Sequence, residues 1–224
     1  MQNYYQEFDA LIAENKATLK YFENNFSVIK KQVENCKTHE VYSTKADGLG
    51  ILSPSLITDK ICKGYRKGKR LKNKPMAKDY CIYELDSNHK PLRVCHVGDV
   101  SFYFIAHNNA MFALPCIDDE KYSFYPTYSH KIEYKNDKIY KYSQIDSNSL
   151  WQEVYEFKNE NVAICYQYYY VPNLAGSSKA IPLGEKGSPA QAFKLELSLM
   201  RDKVVKILMY EFPHNKLVYT WERQ

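Results

Sequence analysis

The chain has 224 residues, 45% of them hydrophobic and 25% charged, with 21 Tyr and 10 Phe against 8 Gly and 9 Pro. This length and composition allow a buried core and disfavour a disordered chain, and the aromatic content favours strands. The formal net charge of +5 is local, because nine basic and no acidic residues lie within residues 60–78, whereas 22 basic and 26 acidic residues make up the remainder.

Neither targeting nor membrane segments are evident. The first ten residues, MQNYYQEFDA, lack the basic and apolar regions of a signal peptide, and no window holds 18 uncharged apolar residues. The six cysteines are widely spaced and never form C-x-x-C, which argues against a zinc knuckle or a redox pair. We therefore expect a cytoplasmic protein with reduced thiols.

The first predicted element is a long amphipathic helix over residues 1–37. Apolar residues recur at the spacing of one helix face, at Tyr5, Phe8, Ile12, Leu19, Phe22, Phe26, Ile29 and Val33. Asn15 interrupts this stripe once, and the stretch lacks Gly and Pro. We expect the stripe to pack on the sheet that follows, with a coiled-coil partner as the alternative.

Residues 38–78 are predicted to form a connector with one or two short strands or turns, since Gly and Pro interrupt short apolar runs. The connector ends in the basic segment, residues 60–78. Clustered basic side chains can bind phosphates, so Arg66, Lys67, Lys69 and Arg70 are candidates for nucleic-acid binding. A solvated, lysine-rich loop is the simpler interpretation.

Residues 79–224 are predicted to be an antiparallel meander of β-hairpins. Apolar strands alternate with polar turns about every ten residues, as in residues 80–97, 131–145, 151–170 and 193–212. The sequence thus predicts a single α+β domain, mostly β, in which the helix packs on an extended antiparallel sheet. Barrel closure and strand order stay open.

Two further features are candidates for binding. Tyrosines are enriched at protein interfaces, so Tyr125, Tyr128, Tyr166, Tyr168 and Tyr170 are predicted partner-binding residues, with stabilisation of the sheet as the alternative. Residues 171–189 are rich in Gly, Pro and Ser, and a loop of this length is either functional or disordered.

The sequence lacks a convincing catalytic, cofactor or metal motif. Residues 176–188 lack the spacing of a phosphate-binding loop, and Asp118, Asp119 and Glu120 lack the spacing of a calcium loop. Cys95, His96 and His107 could form a thiolate–imidazole pair, but Cys95 and His96 are neighbours in a predicted strand and point to opposite faces, so a buried Cys with a hydrogen-bonded His is the simpler interpretation. We expect a non-enzymatic protein.

Residues 80–94, YCIYELDSNHKPLRV, preceded by KGKRLK at residues 67–72, resemble uncharacterised bacterial β-meander proteins, and more faintly the hairpins of Rhs-type toxin shells. Proteins of the first kind resemble immunity proteins of polymorphic toxin systems. The resemblance implies a protein that binds and neutralises a cognate toxin. A nucleic-acid-binding protein that uses residues 60–78 is the alternative, and the oligomeric state stays open, including a scaffold assembled through the helix.

Overall fold

The computed structural model describes residues 4–45, 49–52, 54–62, 67–76, 80–96, 100–107, 110–118, 123–124, 129–136 and 138–223. Its helices are α1 (Tyr4–Cys36) and α2 (Thr58–Ile61). Its strands are β1 (His39–Ser43), β2 (Arg70–Leu71), β3 (Cys81–Leu85), β4 (Pro91–His96), β5 (Ser101–His107), β6 (Ala110–Asp118), β7 (Ser123–Phe124), β8 (Ser129–Lys135), β9 (Lys138–Ile145), β10 (Leu150–Phe157), β11 (Val162–Tyr170), β12 (Ala190–Met200), β13 (Lys203–Glu211) and β14 (Lys216–Glu222).

The chain divides into two compact units that alternate along the sequence. Unit 1 contains residues 1–15, 55–65 and 132–224, and unit 2 contains residues 16–54 and 66–131. The prediction of a single domain stays a prediction. None of the helices in the described ranges combines the length and the apolar character needed to cross a membrane.

In unit 1 the strands follow the order β14-β13-β12-β11-β10-β9-β8, and the paired strands from β9 to β14 are antiparallel. Side chains alternate between the two faces. One face packs on the start of α1, where Phe8 lies 5.5 Å from Tyr168 and 5.2 Å from Tyr170 between ring centroids. On the opposite face, Tyr155 and Cys165 pack with Ile57, which precedes α2.

Residues 171–189 form a folded loop of consecutive turns in unit 1. Backbone hydrogen bonds close it internally, including that from Ser178 N–H to the Gly187 carbonyl, 2.9 Å. The hydroxyl of Tyr5 in α1 donates to the Ile181 carbonyl at 2.7 Å. Gly184 has φ +83°, and a Cβ there would lie 2.1 Å from the Phe212 carbonyl oxygen, so this turn requires glycine.

In unit 2 the strand order is β6-β5-β4-β3-β1-β2, with β7 paired to β6, and each of these pairs is antiparallel. Phe22 and Phe26 of α1 pack against Tyr103 of β5 on one face. The neighbouring Phe104 points to the other face and belongs to a second cluster with Tyr83. Unit 2 therefore has apolar contacts on both faces of its sheet.

The mostly antiparallel β architecture with an N-terminal helix is confirmed, and the helix occupies residues 4–36 of the predicted 1–37. The stripe residues Tyr5, Phe8, Leu19, Phe22 and Phe26 are buried. The predicted connector contains β1, β2 and the short helix α2. Both short strands join the sheet of unit 2, because β1 pairs with β2 and β3.

Candidate functional site

Aromatic side chains collect on the face of the unit 1 sheet that carries α2. In the antiparallel register, Trp151 lies opposite Tyr169, Gln167 opposite Phe193, and Met209 opposite Tyr219. Directly opposite residues share a face of the sheet. The register therefore gathers side chains from five neighbouring strands, β10 to β14, on one surface.

These residues surround a cavity of about 330 Å³, which we call the aromatic pocket. Its wall consists of Ile61, Cys62, Trp151, Gln167, Tyr169, Gln191, Phe193, Met209 and Tyr219. None of these described wall residues carries a charged side chain. Tyr169 is 43% and Tyr219 37% exposed, so two rings of the pocket are accessible. Apolar cavities with a few polar groups are the usual form of a binding site.

A buried carboxylate lies beside the wall of the aromatic pocket. Glu153 accepts hydrogen bonds from Ser55 Oγ at 3.0 Å, from Trp151 Nε1 at 3.2 Å and from the Tyr155 hydroxyl. Burial raises the pKa of Glu153, and these hydrogen bonds, together with the nearby Gln167 amide, oppose the rise without cancelling it. The environment therefore favours the neutral acid.

Ser55 also holds the segment that leads into α2. Its hydroxyl accepts from the backbone N–H groups of Ile57 at 3.2 Å and Thr58 at 3.1 Å. The backbone N–H of Leu56 donates to the Tyr155 hydroxyl at 3.1 Å. The polar groups around Glu153 therefore fix residues 55–58 over the sheet, and these residues lead to Ile61 and Cys62 in the pocket wall.

The thiols at this site are not activated. Burial raises the pKa of Cys165, and burial together with the nearby Glu153 raises the pKa of Cys62. A reactive thiol needs a lowered pKa. Burial thus shifts the pKa values of the Glu153 carboxyl, the Tyr155 phenol and both thiols towards the uncharged forms of these groups.

A second cavity of about 490 Å³ lies along residues 171–189. Its wall includes Ser177, Glu185, Ser188, Glu211 and His214. His214 Nε2 lies 3.5 Å from a carboxylate oxygen of Glu185. This cavity is polar, and its side chains come mainly from the loop and from β12.

Three of the five predicted partner-binding tyrosines lie in the described part of the chain, on β11. Tyr168 and Tyr170 are buried against α1, and Tyr166 is half-buried on the same face of β11. Tyr125 and Tyr128 lie outside the described residues. The partner-binding role of these tyrosines stays a prediction, and the burial of Tyr168 and Tyr170 gives it no support.

The structure describes three of the four residues of the nucleic-acid alternative. Lys69 and Arg70 are exposed at β2, Lys67 is half-buried, and Arg66 lies outside the described residues. Lys72 and Lys74 are also exposed. Among the described residues of the basic segment, the exposed cations therefore lie beside and within β2 and just after it, in unit 2.

The sequence prediction did not single out Trp151, Phe193 or Tyr219. The available signal was strand periodicity, because Tyr169 alternates with Tyr168 and Tyr170 and so points to the opposite face. Register across five strands is needed to bring it beside the other rings, and a single sequence does not supply that register.

Within the described residues, three or more His, Cys, Asp or Glu side chains nowhere gather in a metal-binding arrangement. None of the six cysteines forms a disulfide bond. Comparison with models of known protein families, with curated proteins and with solved structures gave no match. The proposed function therefore depends on the geometry of the site alone.

Proposed function

We propose that the chain is a non-enzymatic, cytoplasmic protein-binding module, an immunity or antitoxin protein that neutralises a cognate bacterial toxin by direct binding. The observation that carries this proposal is the exposed aromatic surface around the aromatic pocket in unit 1. Trp and Tyr dominate the residues that contribute most to protein–protein affinity.

The pocket reaches the edge strand β14 through Tyr219, which lies opposite Met209, whereas Leu217 lies opposite Tyr210 and so belongs to the other face. Leu217, Val218 and Tyr219 are all exposed, and β14 is the last strand in the order of unit 1. Contiguous exposed apolar groups at a sheet edge are a liability unless a partner covers them. Proteins that act by occluding another protein need such a surface and no catalytic group.

The test is affinity capture of the tagged protein from its native lysate, with wild type compared with two matched double variants. Tyr169→Ala with Tyr219→Ala removes the exposed rings of the pocket. Tyr134→Ala with Tyr140→Ala removes two tyrosines of similar exposure, 47% and 37%, on β8 and β9. Circular dichroism checks that both variants fold.

We expect a partner protein that resists nuclease and high salt, and at least tenfold weaker retention by the Tyr169/Tyr219 variant only, because interface hot spots contribute about 2 kcal/mol or more. If the captured protein is a toxin, wild type and the Tyr134/Tyr140 variant should protect cells that express it. Equal retention by all three proteins would contradict the proposal.

The second candidate function is nucleic-acid binding, favoured by the exposure of Lys69, Arg70, Lys72 and Lys74 in one short stretch. Lysine and arginine contacts to phosphates weaken steeply with salt. Joint neutralisation of Arg66, Lys67, Lys69 and Arg70 should then abolish RNA or DNA binding measured by fluorescence anisotropy. Unchanged affinity would remove this candidate.

A further inference from the structure

The aromatic pocket contains one polar group with unused hydrogen-bonding capacity. Gln167 is only 2% exposed and forms part of the pocket wall. Its side chain lies opposite Glu153 in the register and faces that carboxylate. Its amide nitrogen nevertheless makes no hydrogen bond within 3.5 Å in the described part of the chain.

An amide nitrogen carries two N–H donors, and a buried donor without an acceptor costs free energy. One donor of Gln167 can approach Glu153, which leaves the other for a group in the pocket. A ligand that fits this site therefore presents a hydrogen-bond acceptor at its buried end.

The rest of the wall restricts the ligand further. Trp151, Tyr169, Phe193 and Tyr219 supply four aromatic rings, and the described wall carries no charge. Flat rings pack well in such surroundings, and an unpaired charge would lose its hydration without compensation. The pocket thus favours an uncharged, planar ring with an acceptor atom.

Among protein side chains, only one is an uncharged, planar ring with a hydrogen-bond acceptor at its far end. The tryptophan ring offers only a donor, and phenylalanine offers neither donor nor acceptor. Histidine changes its charge near neutral pH, whereas the tyrosine hydroxyl stays neutral and accepts hydrogen bonds. Tyrosine alone combines a flat, neutral ring with an acceptor at its far end.

We propose that the aromatic pocket is the anchor site for one tyrosine side chain of the protein partner, whose hydroxyl oxygen accepts a hydrogen bond from the Gln167 amide. This inference rests on the proposed function and specifies which side chain of the partner the site recognises. The occupant is a tyrosine exposed on the partner's surface.

The test uses N-acetyl-tyrosine amide and N-acetyl-phenylalanine amide as probes. The chain has two tryptophans, so a Trp221→Phe background leaves Trp151 of the pocket as the single fluorescent tryptophan. Each probe is titrated to about 20 mM, because a ligand of this size binds weakly without the rest of a protein surface.

We expect both probes to change the Trp151 fluorescence and the tyrosine probe to bind about three- to tenfold tighter, the usual effect of one net hydrogen bond. This comparison uses a single protein, so misfolding of a pocket variant cannot disturb it. Equal affinity for the two probes would overturn the inference.

Two variants then assign the preference to its source. Gln167→Met keeps the size of the side chain and removes the donor, so the preference for tyrosine should disappear; a preserved preference would overturn the role of Gln167. Tyr169→Ala should weaken both probes together, whereas Tyr140→Ala should change neither. Loss of binding in Tyr140→Ala to the same extent would also overturn the assignment to this pocket.

The capture experiment separates this inference from the proposed function. A captured partner that loses affinity when one of its surface tyrosines is changed to phenylalanine supports both. A captured partner that depends on the aromatic surface but on no tyrosine overturns the anchor alone. Selective binding of the tyrosine probe with no partner captured overturns the assignment of the pocket to a protein.

Discussion

Glu84 in unit 2 and Glu153 in unit 1 are both buried carboxylates, but their surroundings differ. Burial alone would raise the pKa of Glu84, yet hydrogen bonds and charges of Arg93 and Lys37 outweigh it and lower that pKa. Arg93 Nε lies 2.8 Å and Lys37 Nζ 2.8 Å from the carboxylate oxygens. Glu153 accepts hydrogen bonds from neutral donors, and its pKa is raised.

The difference shows that neutral donors do not compensate for burial of a carboxylate as fully as cations do. In unit 2 the ionised Glu84 joins β3, β4 and the end of α1 through charged hydrogen bonds. In unit 1 Glu153 holds residues 55–58 through hydrogen bonds with neutral groups, beside the aromatic pocket. Cations thus shift the first carboxylate towards its charged form, and burial shifts the second towards its neutral form.

The largest effect is expected from Arg93→Ala. This change removes the guanidinium that donates two hydrogen bonds to the buried Glu84 carboxylate. The free energy of unfolding should therefore fall by about 3 kcal/mol. The measurement is a urea titration followed by circular dichroism, with the exposed Arg70→Ala as control, expected within about 0.5 kcal/mol. Similar losses for both variants would contradict the assigned role of the Arg93 pair.

A sharper comparison replaces each carboxylate by its neutral isostere. Glu84→Gln strands the charge of Arg93 in a buried site and should cost about 2 kcal/mol. Glu153→Gln preserves the shape and much of the hydrogen bonding of a neutral acid, so its cost should stay below about 1 kcal/mol at pH 5. Equal costs would show that the two sites do not differ in charge.

The contributions of Glu84 and Glu153 to the free energy of unfolding should depend on pH in opposite directions. The pKa of Glu84 is lowered, so its stabilisation is complete above the ordinary value of 4.5 and is lost as the pH falls through the folded-state pKa. The pKa of Glu153 is raised, so the folded state loses stability as the pH rises from 4.5 towards its folded-state pKa.

Unfolding titrations from pH 3 to pH 8 test this sign. The difference in free energy of unfolding between wild type and Glu84→Gln should shrink at the acid end. The corresponding difference for Glu153→Gln should move in favour of the variant as the pH rises. Parallel curves for wild type and Glu153→Gln would show that Glu153 has the same pKa in both states.

Local periodicity predicted the helix and the hairpins, because both depend on residues close in sequence. The stripe from Tyr5 to Val33 gave the helix, and the polar turns between apolar runs gave the pairs β8–β9, β10–β11 and β12–β13. The aromatic pocket depends instead on the register of five paired strands, which brings Trp151 and Tyr219 into the same pocket wall.

The tyrosine-rich strand β11 illustrates the limit of the pattern. Tyr166, Tyr168 and Tyr170 share one face and Tyr169 the other, and only the position of α1 decides which face is covered. Composition therefore pointed to β11 but not to the side of this strand on which a tyrosine is exposed. The ion network of Glu84 and Arg93 was equally invisible, because opposed charges on neighbouring strands are common at exposed positions.

The smallest effect is expected from Lys37→Met. The Lys37 side chain is 32% exposed and pairs with both Glu40 at 2.6 Å and Glu84 at 2.8 Å, so water screens part of its contribution. With Arg93 still present, the free energy of unfolding at pH 7 should fall by only about 0.5 kcal/mol. The acid loss of stability should begin at a higher pH, because one of the two cations that lower the pKa of Glu84 is gone.

The exposed pair of Lys158 and Glu156, 2.8 Å apart, gives the matched control. Lys158→Met should change neither the stability at pH 7 nor the acid limb of the curve. If Lys37→Met cost as much as Arg93→Ala, the lysine rather than the guanidinium would compensate Glu84. The contrast with Glu153 would then depend on one cation at the end of α1 and not on the paired strands β3 and β4.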